Sequence, residues 1–369
     1  MFLEWGMPIS EEARVALAWS KVPGLSLRRF WKAHESVGGW RALIGADPAR
    51  LVDSTRSLSA ARSLARPFEI DISEELAAVE RAGVALLQPF DGPYPALLRE
   101  TPDPPLVLYS RGDVERLSLP AVGIVGARAA TRYGREVCTE LAGDLSLSGV
   151  CVVSGMARGI DAAAHTASVG NPGGTIAVLG SGVDVPYPKE NADLWKRIGE
   201  DGLLLSEHPP GTPPVASHFP VRNRVIAGMA AGVVVVEAAE RSGSLITARL
   251  ANDLGRDVFA VPGSVRSEAS KGCHALLRDG AILCRGAEDV LTELFPSVGG
   301  VSSRVSGGPA LEGEAARIVA AMAGDEAWDA DDLAEATRIP IGALLAVLFD
   351  LEARGVLRCL PGGLYSVVA

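Results

Sequence analysis

Residues 150–165 read VCVVSGMARGIDAAAH: an apolar run, then a glycine-containing turn, then a run of small residues. β-Branched residues favour strands, and a strand that is apolar at every position is typical of one covered on both faces. The alanines after the turn favour a helix. This stretch therefore predicts a strand, a loop and a helix in succession.

The same unit repeats through the middle of the chain. Helical stretches such as 133–148 and 244–255 separate seven short apolar runs. Strands that alternate with helices in this way indicate a parallel sheet with helices on both faces. The predicted fold class is therefore α/β, a Rossmann-like doubly wound parallel sheet over residues 118–295. The seven runs lie at 121–127, 150–155, 175–182, 203–207, 232–238, 257–263 and 281–284.

Segments of different composition flank this sheet. Residues 1–88 are predicted to form a helical domain, and a proline-rich connector follows at 89–117. A Gly/Ser-rich linker at 296–312 leads to a final domain, 313–369. In that domain, ADDLAEAT (330–337) precedes an apolar helix and two short strands, which is winged-helix spacing.

Composition excludes several classes of protein. With 48% hydrophobic and 22% charged residues, the chain is expected to be globular and soluble, without a signal peptide or membrane span. The five scattered cysteines predict buried thiols in a reducing compartment, which favours the cytoplasm. They have no metal-binding spacing, and neither a metal nor a cofactor is predicted.

The net charge of −10 disfavours general attraction to nucleic acid, so any anion site must be local. Ligands of such sheets bind beyond the carboxyl ends of the strands. Five of the six loops there combine Gly or Ser with Arg, and the remaining one carries Lys189. Glycine exposes backbone N–H groups and arginine matches phosphate oxygens, so these loops predict a cleft for a polyphosphate or a nucleic-acid backbone.

Evidence for catalysis is thin. GIVGAR (123–128) lacks the GxGxxG spacing of a dinucleotide site. Glu207 and Glu237 follow strands and are candidate acid–base groups, but pairing an arginine or capping a helix is the alternative role for each. Asp161 and His165 lie four residues apart on a predicted helix, which favours a structural pair. The residues alone favour binding.

Five motifs resemble, in order and spacing, the DNA-processing protein A family (DprA, also called Smf). They are GARAATRYG, SGMARGIDAAAH, TIAVLGSGVDVPYPKEN, SEHPPGTPPVASHFPVRNRVIAG and VVVVEAAERSGSLITARLANDLGRDVFAVPG, within residues 121–284. The resemblance implies an extended Rossmann fold and a dimer. It also implies a non-enzymatic protein that binds single-stranded DNA, protects incoming DNA in natural transformation and loads the RecA recombinase.

The resemblance also implies site residues. Phe219 would stack on a base, with a core position as the alternative, and the other residues would contact phosphate or line the pocket. Two positions depart from the family pattern: Ala127 replaces a common serine, and His274 a common asparagine. The remaining implied DNA-binding residues are Arg128, Ser154, Gly155, Arg158, Gly159, Arg222, Asn223, Arg224, Ser242, Gly243 and Ser244.

Alternatives stay open for the flanking domains and for the function. The N-terminal domain resembles sterile-alpha-motif or helix-hairpin-helix modules, which would contact DNA through Arg28 and Arg29 or contact protein instead. The acidic winged-helix-like domain is expected to bind protein or modulate activity, because phosphate would be repelled. The alternative function is a nucleoside-monophosphate phosphoribohydrolase, with Glu207 or Glu237 as its carboxylate.

Overall fold

The computed structural model describes residues 9–90, 92–296, 313–322, 328–354, 356–360 and 363–367. The chain divides into two compact units, Met1–Gly300 and Val301–Ala369. Among the described residues, no helix combines the length and the apolar character needed to cross a membrane.

A nine-stranded sheet forms the centre of the first unit, in the order β1-β2-β6-β5-β4-β3-β7-β8-β9. The strands from β3 to β9 pair in parallel, whereas β2 runs antiparallel to β6 and β1 antiparallel to β2. The doubly wound sheet predicted from the seven apolar runs is confirmed. The bounds are β1 Ala85–Leu87, β2 Leu108–Gly112, β3 Ala121–Val125, β4 Cys151–Ser154, β5 Thr175–Leu179, β6 Leu203–Ser206, β7 Gly232–Val235, β8 Asp257–Ala260 and β9 Ile282–Leu283.

Helices cover both faces of this sheet. Alternate residues of a strand point to opposite faces. Val152 of β4 therefore packs in the core that contains the helices Arg132–Leu147 and Ile160–Ser168, and Val153 packs in the core that contains the helices His218–Met229 and Ser244–Asp253. The helices are α7 Ala96–Arg99, α8 Arg132–Leu147, α9 Ile160–Ser168, α10 Ala192–Asp201, α11 His218–Met229, α12 Ser244–Asp253, α13 Lys271–Arg278 and α14 Ala287–Leu294.

The N-terminal segment is helical, as predicted, and shares a core with the sheet. Trp19 and Phe30 are fully buried in a cluster that also contains Leu179 of β5 and Leu204 of β6. The two antiparallel strands β1 and β2 were not predicted; they lie in and beside the proline-rich connector. The domain boundaries at 88 and 117 stay predictions. The N-terminal helices are α1 Glu11–Ser20, α2 Leu27–Val37, α3 Trp40–Leu43, α4 Pro48–Thr55, α5 Leu58–Ala65 and α6 Ser73–Ala82.

In the part of the second unit that the structure describes there are three helices and an antiparallel hairpin, as the sequence predicts. One expectation about the cysteines is wrong. Cys138, Cys151, Cys273 and Cys284 are buried, but Cys359 is exposed because it lies nearer the turn of a short hairpin, beyond Leu357, which is the buried residue of that strand. The elements are α15 Glu314–Ala321, α16 Ala330–Thr337, α17 Ile341–Ala353, β10 Leu357–Leu360 and β11 Leu364–Val367.

The order of the strands locates a topological switch point. From β3 the chain winds through β4, β5 and β6 on one side, then crosses back to β7, which pairs with β3 on the other side. Loops after β3 and β7 therefore diverge, and the crevice between them is where open α/β sheets bind ligands.

Candidate functional site

A cavity of about 780 Å³ opens at this switch point, beyond the carboxyl ends of β3 and β7. Loops that are distant in sequence form its walls, together with the first turns of α11 and α12. The cavity thus brings together the greater part of the predicted site. The predicted residues that line it are Arg128, Phe219, Arg222, Asn223, Ser242, Gly243 and Ser244.

The loop after β3 presents Arg128 to the cavity. This side chain is exposed, and its guanidinium carbon lies 5.8 Å from the centroid of the Phe219 ring. The neighbouring carbonyl of Ala127 accepts a hydrogen bond from the backbone N–H of Ile160 at 3.2 Å. The first loop is therefore held against the start of α9.

Gly159 makes this close approach possible. Its φ is +73°, and a Cβ atom there would lie 2.3 Å from the carbonyl oxygen of Ala127. Left-handed φ values favour glycine, and a backbone atom cannot yield as a flexible side chain does. Gly159 therefore shapes the site through its backbone, without itself lining the cavity.

Three other predicted residues of this part of the chain lie outside the lining: Ser154 at the end of β4, and Gly155 and Arg158 in the loop that follows it. Ser154 is buried, and its hydroxyl donates to the carbonyl of Ile124 at 2.6 Å, which ties β4 to β3. Arg158 is exposed and forms an ion pair with Glu190, with an Nη2–Oε2 distance of 3.0 Å.

Asp161 and His165 do not act as the expected pair; each binds the backbone of the loop after β4. The carboxylate of Asp161 accepts from the N–H groups of Gly155 and Ala157, each at 3.2 Å. The N–H of Met156 donates to Nε2 of His165 at 3.3 Å, and Nδ1 of His165 lies 2.7 Å from the hydroxyl of Thr175. Both side chains therefore have the structural role that was expected, by different contacts.

Arg222 belongs to α11, which begins at His218, so the RNR segment is helical and not part of the preceding loop. Pro220 is compatible with this start because the N–H groups of a first helical turn have no intrahelical partner. The Arg222 guanidinium is buried beside Gly155. It donates to the carbonyl of Gly155 at 2.7 Å, to the carbonyl of Val178, and through Nε to Asn223 at 3.2 Å. Burial lowers its pKa to about 10.

The structure does not bring Arg224 to the cavity. Two residues further along a helix, a side chain points about 200° away. Arg224 accordingly lies on the other side of α11, where it pairs with the carboxylate of Glu207 and donates to the carbonyl of Asp103 at 2.8 Å. The expectation that Arg222 and Arg224 would act as one phosphate grip does not match this placement.

The loop after β7 forms the opposite wall. Ser242 and Ser244 stand at the N-terminus of α12, with their hydroxyl oxygens 2.7 Å apart, and Gly243 lies between them. Arg241, which precedes them, is exposed and also lines the cavity. Helix N-termini favour anions through unpaired N–H groups and the helix dipole.

Neither carboxylate proposed for a hydrolase lines the cavity. Glu237 is buried and accepts from the N–H of Thr131 at 2.9 Å and from its hydroxyl at 2.6 Å, so it caps the start of α8. Glu207 pairs with Arg224. Both carboxylates have the structural alternative noted from the sequence. Among the residues that the structure describes, no group of three or more His, Cys, Asp or Glu could hold a metal ion.

The two departures from the family pattern have different settings. Ala127 lines the cavity, while its carbonyl holds α9 as described. The ring Nε2 of His274 lies 3.0 Å from the carbonyl oxygen of Gly263, away from the cavity lining.

Two exposed lining residues with a charged or aromatic side chain, Arg241 and Tyr187, were not predicted from the sequence. Arg241 lies in the loop after β7, one of the loops whose glycine, serine and arginine predict an anion site, but the family resemblance implies no role for it. Tyr187 lies in the loop after β5, where the charge of Lys189 is the feature that suggests an anion site. The signal for Tyr187 was an aromatic residue next to proline in a loop at the same sheet edge.

The buried histidine predicts a pH dependence of stability. Burial, reinforced by the nearby charge of Arg222, lowers the pKa of His165 to about 3. Between this value and its ordinary pKa of 6.5, the unfolded chain binds a proton there that the folded chain does not. Stability is therefore lost as the pH falls. We expect the free energy of unfolding to drop by about 1.5 kcal/mol from this group between pH 6.5 and 5.

Urea unfolding at both pH values will measure this contribution as a difference between wild type and His165→Gln. The comparison with the variant is needed because burial raises the pKa of Asp161 and of Glu207. A carboxyl group with a raised pKa makes the folded protein more stable as the pH falls, which opposes the effect of His165. Equal pH dependence in the two proteins would mean that His165 is not the group responsible.

The sequence is similar to two protein-family models and to several known proteins. The family model for DNA recombination-mediator protein A matches residues 85–295, and the model for the DprA winged helix domain matches residues 304–363. The DNA processing protein DprA of Streptococcus pneumoniae is 48% identical over 203 residues, which cover 55% of this chain and 72% of that protein. The putative DprA of Mycobacterium tuberculosis is 39% identical over 312 residues, 80% of each chain.

Solved structures of relatives have the same fold as this chain. The X-ray structure of DprA from Streptococcus pneumoniae superposes with a TM-score of 0.68 at 37% identity, covering 78% of this chain and 99% of that one. The structure of DNA processing protein A from Helicobacter pylori, reported for its single-stranded DNA binding mode, superposes with a TM-score of 0.53 at 29% identity. It covers 58% of this chain and 96% of that one. Family models and relatives match both the sheet and the winged helix, and the chain belongs to the DNA recombination-mediator protein A family.

Proposed function

We propose that the cavity at the switch point binds single-stranded DNA. The observation that carries this proposal is the composition of its walls: exposed arginines and a helix N-terminus on two sides, with the rings of Phe219 and Tyr187 beside them. Proteins that bind single strands without sequence preference combine a cationic groove with aromatic rings on which bases stack. Single-stranded DNA is also the ligand described for the Helicobacter pylori relative.

The predicted residues then have several different roles. Arg128, Asn223 and the 242–244 segment contact phosphates, and Arg241 joins them. Ser154, Gly155, Gly159 and Arg222 hold the loops in place from behind. Phe219 forms the inner aromatic wall. Arg158 lies at the margin of the cavity, where it pairs with Glu190. Because an exposed ion pair contributes little stability, Arg158 can leave Glu190 and bind a phosphate instead.

We further propose, on the strength of family membership, that the protein delivers the bound strand to the RecA recombinase. We also propose that the protein protects incoming DNA in natural transformation, that it is a homodimer and that it is located in the cytoplasm. No catalytic step is included, because both candidate carboxylates are engaged outside the cavity.

Binding of a fluorescein-labelled dT strand, followed by anisotropy at several salt concentrations, tests this function. The double variant Arg128→Ala with Arg241→Ala should bind at least about tenfold more weakly, because two charge-assisted contacts are lost. Its plot of log affinity against log salt should be less steep by about 1.4, since each phosphate contact to a single strand contributes about 0.7.

A matched control removes the same charge elsewhere. Arg249 and Arg278 are exposed on α12 and α13 and do not line this cavity, so replacing both by alanine should leave affinity nearly unchanged. Equal weakening in both double variants would indicate general electrostatics rather than this site. Tight binding of nucleoside monophosphates with release of free base would support the hydrolase instead.

A further inference from the structure

The two aromatic rings of the cavity differ in how much surface they offer. Tyr187 is 42% exposed, whereas Phe219 is half-buried. The guanidinium carbons of Arg128 and Arg222 lie 5.8 and 5.9 Å from the centroid of the Phe219 ring. The backbone at Gly180 also packs on this ring, since a Cβ there would come within 2.9 Å of it. Phe219 thus has part of its surface occupied by protein.

Tyr187 continues the same aromatic surface outward. The centroids of the two rings are 5.4 Å apart, and their planes are inclined by 37°. Tyr187 therefore extends the wall of Phe219 towards solvent, and the loop that carries it also carries Glu190, the ion-pair partner of the exposed Arg158. A strand leaving the cavity in this direction would pass both an aromatic ring and a cation.

The segment that carries Tyr187 is anchored. The side-chain amide of Asn191, four residues later, donates to the carbonyl of Met156 at 3.1 Å, which ties the loop after β5 to the loop after β4. Pro188, the next residue, is buried. A ring on an anchored segment loses little freedom when it is covered, so its contact area converts efficiently into affinity.

We propose that Tyr187 is a second base-stacking residue, the outer half of a two-ring platform whose inner half is Phe219. This inference rests on the proposed single-strand binding and names the contact made by a base outside the deepest part of the cavity. Stacking on an aromatic side chain is independent of sequence, because every base presents a π face.

The experiment separates base contacts from phosphate contacts. Full-length wild type, Tyr187→Ala, Tyr187→Phe and the control Phe68→Ala are titrated with a dT strand and with a strand of the same length built from abasic residues. Phe68 is also an exposed aromatic residue, at 65%, and lies in the N-terminal helical segment. Both strands carry the same phosphates, so their difference reports the bases alone.

Tyr187→Ala should bind the dT strand roughly 5- to 150-fold more weakly, the range for loss of one stacked base, and should bind the abasic strand about as well as wild type. Tyr187→Phe and Phe68→Ala should behave as wild type on both strands. Phe219→Ala should also weaken the binding of dT strands. Because Phe219 forms the inner part of the platform, this loss of affinity should already appear with shorter dT strands than the loss caused by Tyr187→Ala.

Each other outcome decides against the assignment. If Tyr187→Ala binds dT as tightly as wild type, or loses equal affinity for both strands, Tyr187 does not stack on a base. If wild type itself fails to bind the dT strand, the proposed function is wrong, and the role of Tyr187 fails with it.

Discussion

Replacing Arg222 by methionine is expected to lower the free energy of unfolding by about 3–5 kcal/mol. The guanidinium is buried and donates to two backbone carbonyls, those of Gly155 and Val178. Methionine would remove both of these buried hydrogen bonds. It would also remove a positive charge that interacts favourably with the buried carboxylate of Asp161. Urea denaturation at pH 7 measures the change.

Arg128→Met is the matched control, since it removes the same charge from an exposed position in the same cavity. Its stability should stay within about 0.5 kcal/mol of wild type, as is usual for surface substitutions. A stable Arg222→Met protein would show that the buried hydrogen bonds contribute little. The contrast matters for function, because weak DNA binding by an Arg222 variant would report a damaged loop, whereas weak binding by Arg128→Met would report a lost contact.

A substitution at Gly159 is expected to have an effect of similar size. Gly159→Ala should cost about 3 kcal/mol or more, because a left-handed φ and a backbone clash act together. The new Cβ would lie 2.3 Å from the carbonyl oxygen of Ala127 and 2.6 Å from that of Arg128. The loop after β3 must then move, so affinity for a dT strand should fall as well. Urea denaturation and anisotropy measure the two effects.

Gly170→Ala separates the clash from the strain. A methyl group added at Gly170, whose φ is +87°, would meet no other atom within 4 Å. Only the conformational cost of about 1 kcal/mol therefore applies there. If both alanine variants lose the same stability, the close approach of the two loops is not what requires glycine at position 159.

The architecture was accessible from the sequence because its determinants are local and periodic. Each of the seven apolar runs coincides with a strand from β3 to β9, and the helical stretches at 133–148 and 244–255 correspond to α8 and α12. Strands β1 and β2 were not predicted, since β1 has only three residues and β2 lies within the proline-rich connector. Short segments leave too few positions for a period to be recognised.

The cavity itself was predictable in outline but not in detail. Parallel strands end at one edge, so loops rich in glycine and arginine had to meet there. Which arginine faces the cavity depends on contacts between segments far apart in sequence. Arg222 is held by the carbonyl of Val178, 44 residues away, and Arg224 by that of Asp103, 121 residues away.

The amino-acid sequence by itself therefore determined the α/β class, the order of its strands and helices along the chain, and the loops that carry the chemistry. Periodicity and turn residues act within a few positions of one another, so they can be read along the chain. The tertiary structure alone decided that Arg222 is buried support, that Arg224 faces away with Glu207, and that Tyr187 joins Phe219. Those outcomes depend on burial and on partners brought together by packing, which no local pattern encodes.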